Sequence, residues 1–414
     1  MADQVVAPAL DPFAPGFFED PYAQYDAIRA AGAVHQTLFG PWLLTHWEHV
    51  HQLLREPGTS VEDRNASDDQ FLLPEPSAEG RSEEELKRGD KAILNIDPPD
   101  HTRLRRLVSK AFTPRTVEQL RPRIEALVTE LLDDASDDGS GWDVISGLAF
   151  PLPFAVISDM LGMPDTIDRA QLREWSHTLV QVLDPILATT NAEAIFEASD
   201  HMVEVIEEVI AWKRTRVDVD DDLLTALIRA EDGGDVLSEN ELRDNVMLLY
   251  MAGHETTVNL IGNGTNALLR NRPELERLVA DPELDTNAVE ELLRYDSPVQ
   301  FSRRIMLKPV TVAGHTFEPG DFVMTGLGAA NHDPAKFGDD ADRLRLDRET
   351  AREHVSFGSG VHHCLGAALA RLEGQIAIGA LVRRFPQMEL VDEPPAWNGR
   401  IILRGLDRLR VTLG

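Results

Sequence analysis

Apolar residues recur at three- and four-residue spacing over most of this chain, in stretches long enough to be read as helices. Such patterns run from about Pro21 to Ala31, Glu48 to Arg55, Val117 to Ala135, Ile157 to Leu161, Ile167 to Leu183 and Ala192 to Thr215. Strand-like alternation is confined to short pieces. Val34 to Thr45 reads as a hairpin pivoting on Phe39-Gly40-Pro41, and Val310 to Phe317 and Phe322 to Gly328 alternate around Gly314 and Pro319-Gly320. The pattern predicts a mainly α fold with small β-sheets.

The strongest helix signal begins at Ser238-Glu239-Asn240-Glu241, a capping box in which Ser238 caps the helix and Glu241 reaches back. It continues to about Arg270, before Pro273, so the helix is roughly 50 Å long and able to cross a domain. Midway, Met251-Ala252-Gly253-His254-Glu255-Thr256-Thr257 places a glycine, an acid and hydroxyls between apolar turns. Thr256 can bond back to the carbonyl four residues earlier and Glu255 can take a basic partner, or both can serve chemistry. Residues Gly58 to Lys91 have no period and set Phe71, Leu72 and Leu73 among acids, serines and prolines. A loop of that length is functional or solvated.

Two other helices carry charge in a definite register. After Asp97-Pro98-Pro99, Leu104, Leu107, Val108, Ala111 and Phe112 form an apolar arc; His101 and Arg105 make an i, i+4 pair at its edge, and Arg103, Arg106 and Lys110 share the opposite face. In Glu291-Leu292-Leu293-Arg294 the charged pair sits opposite the stripe of Val289, Leu292 and Leu293, where periodicity alone expects an exposed ion pair.

The candidate chemistry centres on Ser356 to Glu373, which holds the chain's one cysteine, Cys364. Gly358, Gly360 and Gly366 bracket it, and the text then turns helical, so a turn presents Cys364 at a helix start, where unpaired N–H groups stabilise a thiolate. A lone cysteine is otherwise a small buried hydrophobe. Zinc bound by His362, His363 and Cys364 is disfavoured because adjacent side chains do not converge on one tetrahedral ion. A nucleophilic cysteine with a histidine base is a third reading.

Composition narrows the class. The 414 residues, 43% hydrophobic and 27% charged, suit one large globular domain spanning 1–414, with no linker dividing it. A single cysteine excludes an internal disulfide and an iron–sulfur cluster held by this chain's cysteines alone. A formal net charge of -31 argues against nucleic acid as a partner. The first residues show no basic then apolar leader, and the apolar stretch Gly147 to Met163 is broken by prolines and Asp159, so a cytoplasmic chain with neither export signal nor membrane anchor is expected.

Phe357-Gly358-Ser359-Gly360-Val361-His362-His363-Cys364-Leu365-Gly366 resembles, at every fixed position, the haem-binding loop of the cytochromes P450. Ala252-Gly253-His254-Glu255-Thr256 resembles that family's oxygen-activation motif, and Glu291-Leu292-Leu293-Arg294 its structural Glu-x-x-Arg pair. The resemblance implies the P450 fold, with the long helix crossing a haem-containing domain. It implies haem b ligated by Cys364, with Phe357, Gly358 and Gly366 in the loop and Ala252 and Gly253 opposite, Gly253 leaving room for dioxygen. His101, Arg105, Arg304 and His362 are implied as propionate partners, with Arg303 the alternate for Arg304. Thr256 and Glu255 are implied in binding and protonating oxygen, and Arg343 as third member of the Glu291-Arg294 network. There the wording departs from the family's, Leu344 standing for Phe and Arg345 for Asp.

The implied activity is insertion of one oxygen atom from dioxygen into an apolar small-molecule substrate. No Gly-x-Gly-x-x-Gly fingerprint is present, so electrons are expected from a ferredoxin and ferredoxin reductase. The basic run from His101 to Arg123, with Arg103, Arg106 and Lys110 outward, is the expected ferredoxin face. A peroxide-using or rearranging haem-thiolate enzyme and a non-catalytic haem ligand-binding protein are the alternatives.

Overall fold

The computed structural model describes residues 8–67, 81–109, 112–136, 141–164, 166–216, 222–232 and 235–414. Phe71, Leu72, Leu73, Lys110 and Ala111, named above, lie outside the described residues. Helices that position the site are α1 (Tyr22–Ala31), α2 (Trp47–Leu54), α3 (Asp100–Val108), α4 (Pro151–Met160), α5 (Arg169–Leu179), α6 (Ala192–Arg214), α7 (Glu239–Arg270), α8 (Asp285–Tyr295) and α9 (Ala367–Arg384). The principal sheet holds β1 (Val34–Gln36), β2 (Trp42–Leu44), β3 (Thr59–Ser60), β4 (Phe301–Met306) and β5 (Phe322–Gly326) in the order β1-β2-β5-β4-β3. Among the described residues no helix is long and apolar enough to cross a membrane.

The capping box forms as the sequence predicts: Ser238 Oγ accepts from the Glu241 N–H at 3.3 Å and Glu241 Oε2 accepts from the Ser238 N–H at 2.8 Å. With its first turn satisfied, α7 runs for 32 residues and is buried on nearly every side. It is the axis of the largest core cluster, whose members extend from Val108 to Leu413. Ala252 is an exception, exposed at the middle of this buried helix. A space opens there.

The sheet brings distant segments into register. β5 pairs antiparallel with β4, Val323 opposite Arg304, and parallel with β2, Val323 opposite Trp42. The hairpin Val310–Val312 with His315–Phe317 extends from β4, as the alternation predicts. Arg304 is thereby carried inward on a strand anchored on both sides.

Glu291 and Arg294 are both 0% exposed. The exposed placement that periodicity expects is overturned by the segment that follows the short helix Leu327–Asn331, which folds over that face. Arg294 donates to both Glu291 oxygens at 2.7 and 2.8 Å and to the carbonyls of Asn331, Ala341 and Arg343 at 2.7 to 3.0 Å. The expectation for Arg343 is corrected: its side chain is exposed and only its carbonyl joins the network. The third charged member is Arg348, which donates to Glu291 Oε1 at 3.1 Å and to Asp340 at 2.9 Å. The backbone turns between the two positions, so a five-residue displacement in sequence decides which guanidinium points inward.

Breaking a buried pair strands a charge and costs about 3–5 kcal/mol, whereas an exposed side chain removed beside it costs under about 0.5 kcal/mol. Arg348→Ala is therefore expected to lower the urea midpoint of unfolding strongly and Arg343→Ala hardly at all. Equal losses from both would refute the assignment of Arg348.

Candidate active site

The loop before α9 is built by two positive-φ glycines, Gly358 at φ 67° and Gly360 at φ 74°. Gly360 also allows a close approach, since a Cβ there would lie 2.6 Å from the Leu54 carbonyl at the end of α2. The Cys364 N–H donates to the Phe357 carbonyl at 2.9 Å, closing the turn and leaving the thiol exposed at the start of α9. Gly366 has φ -83° and a Cβ on it would meet nothing within 4 Å, so its lack of a side chain serves open space rather than the turn.

Surrounding protein pushes the Cys364 thiol pKa up, against the lowering effects of the Gly366 and Ala367 N–H groups, Arg105 and Arg371. Helix-start stabilisation of a thiolate, expected from the sequence, is therefore outweighed by desolvation from the protein around the sulfur, although the residue keeps one open side. A metal ion would reverse that balance, because a coordinating thiol is deprotonated.

Four basic groups gather in the same region. His101 is 1% exposed and neither of its ring nitrogens has a hydrogen-bond partner; its ring centroid lies 4.2 Å from that of His362. Burial, with Arg105 adding, lowers the His101 pKa to about 4; burial, His101 and Arg304 lower that of His362 to about 3. Arg304, also buried, is pushed down to about 10 by burial and by Arg303. Arg304 donates to the Leu54 and Arg303 carbonyls, and Arg105 to the His363 carbonyl at 2.6 Å. Among the described residues no carboxylate pairs with either arginine. Arg303, by contrast, pairs with Asp63 at 2.9 Å and bonds Asn95, which removes it as the alternate.

Desolvated bases that no carboxylate pairs with, two of them buried and two half-buried, are the complement of an anionic ligand. With a soft sulfur ligand beside them and open faces at Gly366 and Ala252, the set fits an iron porphyrin with its carboxylates. Ile93, Ile96, Leu104 and Leu107 pack together with Leu248 of α7 and Leu365 of the cysteine loop, so apolar walls adjoin the bases.

The polar belt of α7 departs in part from expectation. Thr256 Oγ1 donates to the Ala252 carbonyl at 3.3 Å, the local bond that a threonine in a helix can make. Gly253 faces α4: a Cβ there would lie 2.9 Å from Ile157, so glycine is needed for helix packing rather than to leave a free space on that side. Glu255 is 4% exposed and pairs at 2.5 Å with Arg400, itself 4% exposed. His177 of α5 flanks both. Neither partner carried a sequence signal, because the 145 residues between Glu255 and Arg400 are bridged only by the fold.

Of the outward set Arg103, Arg106 and Lys110, the structure gives an acidic partner to Arg103, and Lys110 lies outside the described residues. Arg103 is paired with Glu241 of the α7 capping box, Arg121 with Glu118 and Arg123 with Asp159. Glu241 and Asp159 come from distant segments, whereas Glu118 is one turn from its partner.

Residues 74–404 match the family described as Cytochrome P450. The chain is 43% identical to cytochrome P450 107B1 of Saccharopolyspora erythraea, over 98% of each chain, and 40% identical to vitamin D(3) 25-hydroxylase of Pseudonocardia autotrophica, over 98% of this chain and 96% of that one. The solved structure of the bacillaene polyketide synthase cytochrome P450 PksS of Bacillus subtilis 168 superposes with a TM-score of 0.86 at 37% identity, covering 98% of this chain and all of that one. An exposed cysteine sulfur at a helix start, a cluster of desolvated bases and a whole-chain likeness lead to one conclusion: this chain belongs to the cytochrome P450 family of haem b monooxygenases.

Proposed function

We propose that residues 1–414 act as one catalytic domain that inserts one oxygen atom from dioxygen into an apolar organic substrate, by hydroxylation or epoxidation, with electrons from a ferredoxin and its reductase. The observation that carries this reading is the juxtaposition of accessible Cys364 with His101, Arg105, Arg304 and His362, four bases in want of an anion. Haem b bound there supplies reductive activation of dioxygen, with thiolate donation favouring O–O cleavage.

Each side chain then has a defined task. Cys364 ligates iron, and His101, Arg105, Arg304 and His362 take the propionates, which relieve their mutual repulsion. Phe357 and Gly358 hold the loop, while Gly366 and Ala252 leave the two faces open. Gly253 sets the depth of α7 against Ile157. The Thr256 hydroxyl turns from the Ala252 carbonyl to donate into the cleft, and Glu255 brings protons to it. Inserting one oxygen atom and releasing the other as water consumes two electrons and two protons, so proton delivery limits the yield.

The apolar wall of Leu248, Ile93 and Ile96, together with the likeness to proteins named vitamin D(3) 25-hydroxylase and 6-deoxyerythronolide B hydroxylase, supports a bulky apolar substrate. Screening vitamin D(3), testosterone, hexadecenoic acid and 6-deoxyerythronolide B for a substrate-induced shift of the haem spectrum separates the classes.

The reduced carbon monoxide adduct of the purified protein is expected to show the far-red-shifted Soret band of a thiolate ligand, and Cys364→Ser to lose it. A variant that kept the band would sink the reading. Thr256→Ala is expected to bind haem and substrate nearly as the parent does, while diverting electrons to peroxide; positioned proton donors contribute roughly 10²-fold or more to a rate. The measurement is product formed per electron consumed, and unchanged coupling would remove Thr256 from the mechanism.

A further inference from the structure

Glu255 is the acid of the α7 motif, yet it does not reach solvent. Its carboxylate is buried and held by Arg400 Nη1 at 2.5 Å. Protons brought to Glu255 must cross the groups around it. The one with an accessible surface is His177 of α5, whose side chain is 45% exposed and whose Nδ1 lies 3.9 Å from Glu255 Oε1. The same guanidinium touches both: Arg400 Nη2 lies 3.1 Å from His177 Nε2, 3.3 Å from Nδ1 and 3.3 Å from the His177 carbonyl.

That geometry is sensitive to one proton. Near-equal distances to both ring nitrogens put the guanidinium against the imidazole rather than in line with a single lone pair. A neutral ring tolerates this. A protonated ring places two cations in contact and sets them in competition for the single Glu255 carboxylate. The neighbouring charges do not remove the competition. They are Arg173 on α5, Asp407 on the strand Leu406–Arg408, and His254 beside Glu255 on α7. His254 is buried, with Nδ1 2.7 Å from the Tyr250 carbonyl and Nε2 3.3 Å from Ser176 Oγ, and burial lowers its pKa, so it stays neutral.

We propose that His177 is the solvent-side proton inlet for Glu255, and that Arg400 is a positioning residue which holds the carboxylate until a protonated His177 displaces it. The proposal rests on the monooxygenase reading and deepens it. Solvent protonates a ring nitrogen of His177. The ring closes the 3.9 Å gap to Glu255 Oε1 as Arg400 withdraws, an N–H bond breaks and an O–H bond forms on Glu255. His177 returns to the neutral ring and Arg400 re-pairs once Glu255 has passed the proton inward. No electron moves in these steps. Burial and Arg400 keep the His177 pKa below its ordinary value and Glu255 opposes them, so the neutral ring is the resting form.

The first test needs no turnover. His177 is titrated by NMR in histidine-labelled, diamagnetic carbon monoxide-bound holoprotein, its resonance identified by loss in His177→Gln. Glu255→Gln removes the negative neighbour and is expected to lower the His177 pKa by about one unit, while Arg400→Gln removes the positive one and is expected to raise it. Should Arg400→Gln not fold, the conservative Glu255→Gln decides alone. A His177 pKa that stays put would overturn the proposal.

The second test is the pH profile of peroxide released per electron during oxidation of whichever of the four screened compounds is turned over. His177→Gln, a change at a half-exposed site, is expected to raise the peroxide share about threefold and flatten its dependence below about pH 6.5, the ordinary imidazole value beneath which His177 changes charge. A parent-like profile would overturn the proposal. If Thr256→Ala uncouples and His177→Gln does not, only the inlet falls; if neither does, the roles of Glu255 and Thr256 fall too.

Discussion

The ion pair of Glu291 and Arg294, wholly buried, is the constraint on which the site depends. Arg294 spends its remaining donors on the Asn331, Ala341 and Arg343 carbonyls, and Arg348 completes the charge balance at Glu291. The consequence travels along hydrogen bonds. Asn331, its carbonyl fixed by Arg294, donates through its side chain to Ser297 and Ser356 and accepts from the Val355 N–H at 2.8 Å. Ser356 in turn donates to the Leu293 carbonyl on α8. Phe357 follows directly, and its carbonyl holds Cys364. A chain of satisfied, low-dielectric contacts therefore sets where the sulfur points, which is why a charged pair is found in a place that an apolar pair could fill.

The opposite arrangement prevails on the cofactor side. His101, His362, Arg105 and Arg304 are desolvated and lower one another's basicity, and the acid that bears on His101 and Arg304, Asp97, outweighs neither effect and forms no ion pair with them among the described residues. In a chain of net charge -31 that shortage is local and costly. It becomes favourable when an anion arrives, so haem binding and the stability of this region are linked. Arg103 shows the contrast: one residue on the helix from His101's neighbourhood, it is neutralised by Glu241 at the start of α7.

The central helix joins the two regimes. Its capping box fixes one end, and its buried middle carries polar groups that the fold satisfies from three directions: the helix's own carbonyl for Thr256, α5 for His254, and the segment near Arg400 for Glu255. Each bond also holds its group in a resting position. Catalysis asks for groups that can leave such partners and return.

Much of this was legible in the residues. Capping, the long apolar period, the hairpin turns and the turn glycines Gly358 and Gly360 act over a few residues, where local sterics and hydrogen bonding decide the outcome, and they folded as read. The motifs located the sulfur, the threonine and the acid for the same reason. Long-range partners were not legible: Arg348 rather than Arg343 at Glu291, Glu241 neutralising Arg103, and Arg400 with His177 around Glu255. Periodicity even placed Glu291 and Arg294 outward, because it registers which face of one helix is apolar and not what chain later covers the other. Electrostatic pairing acts through space between groups brought within a few ångströms, and only the tertiary structure determines which groups those are.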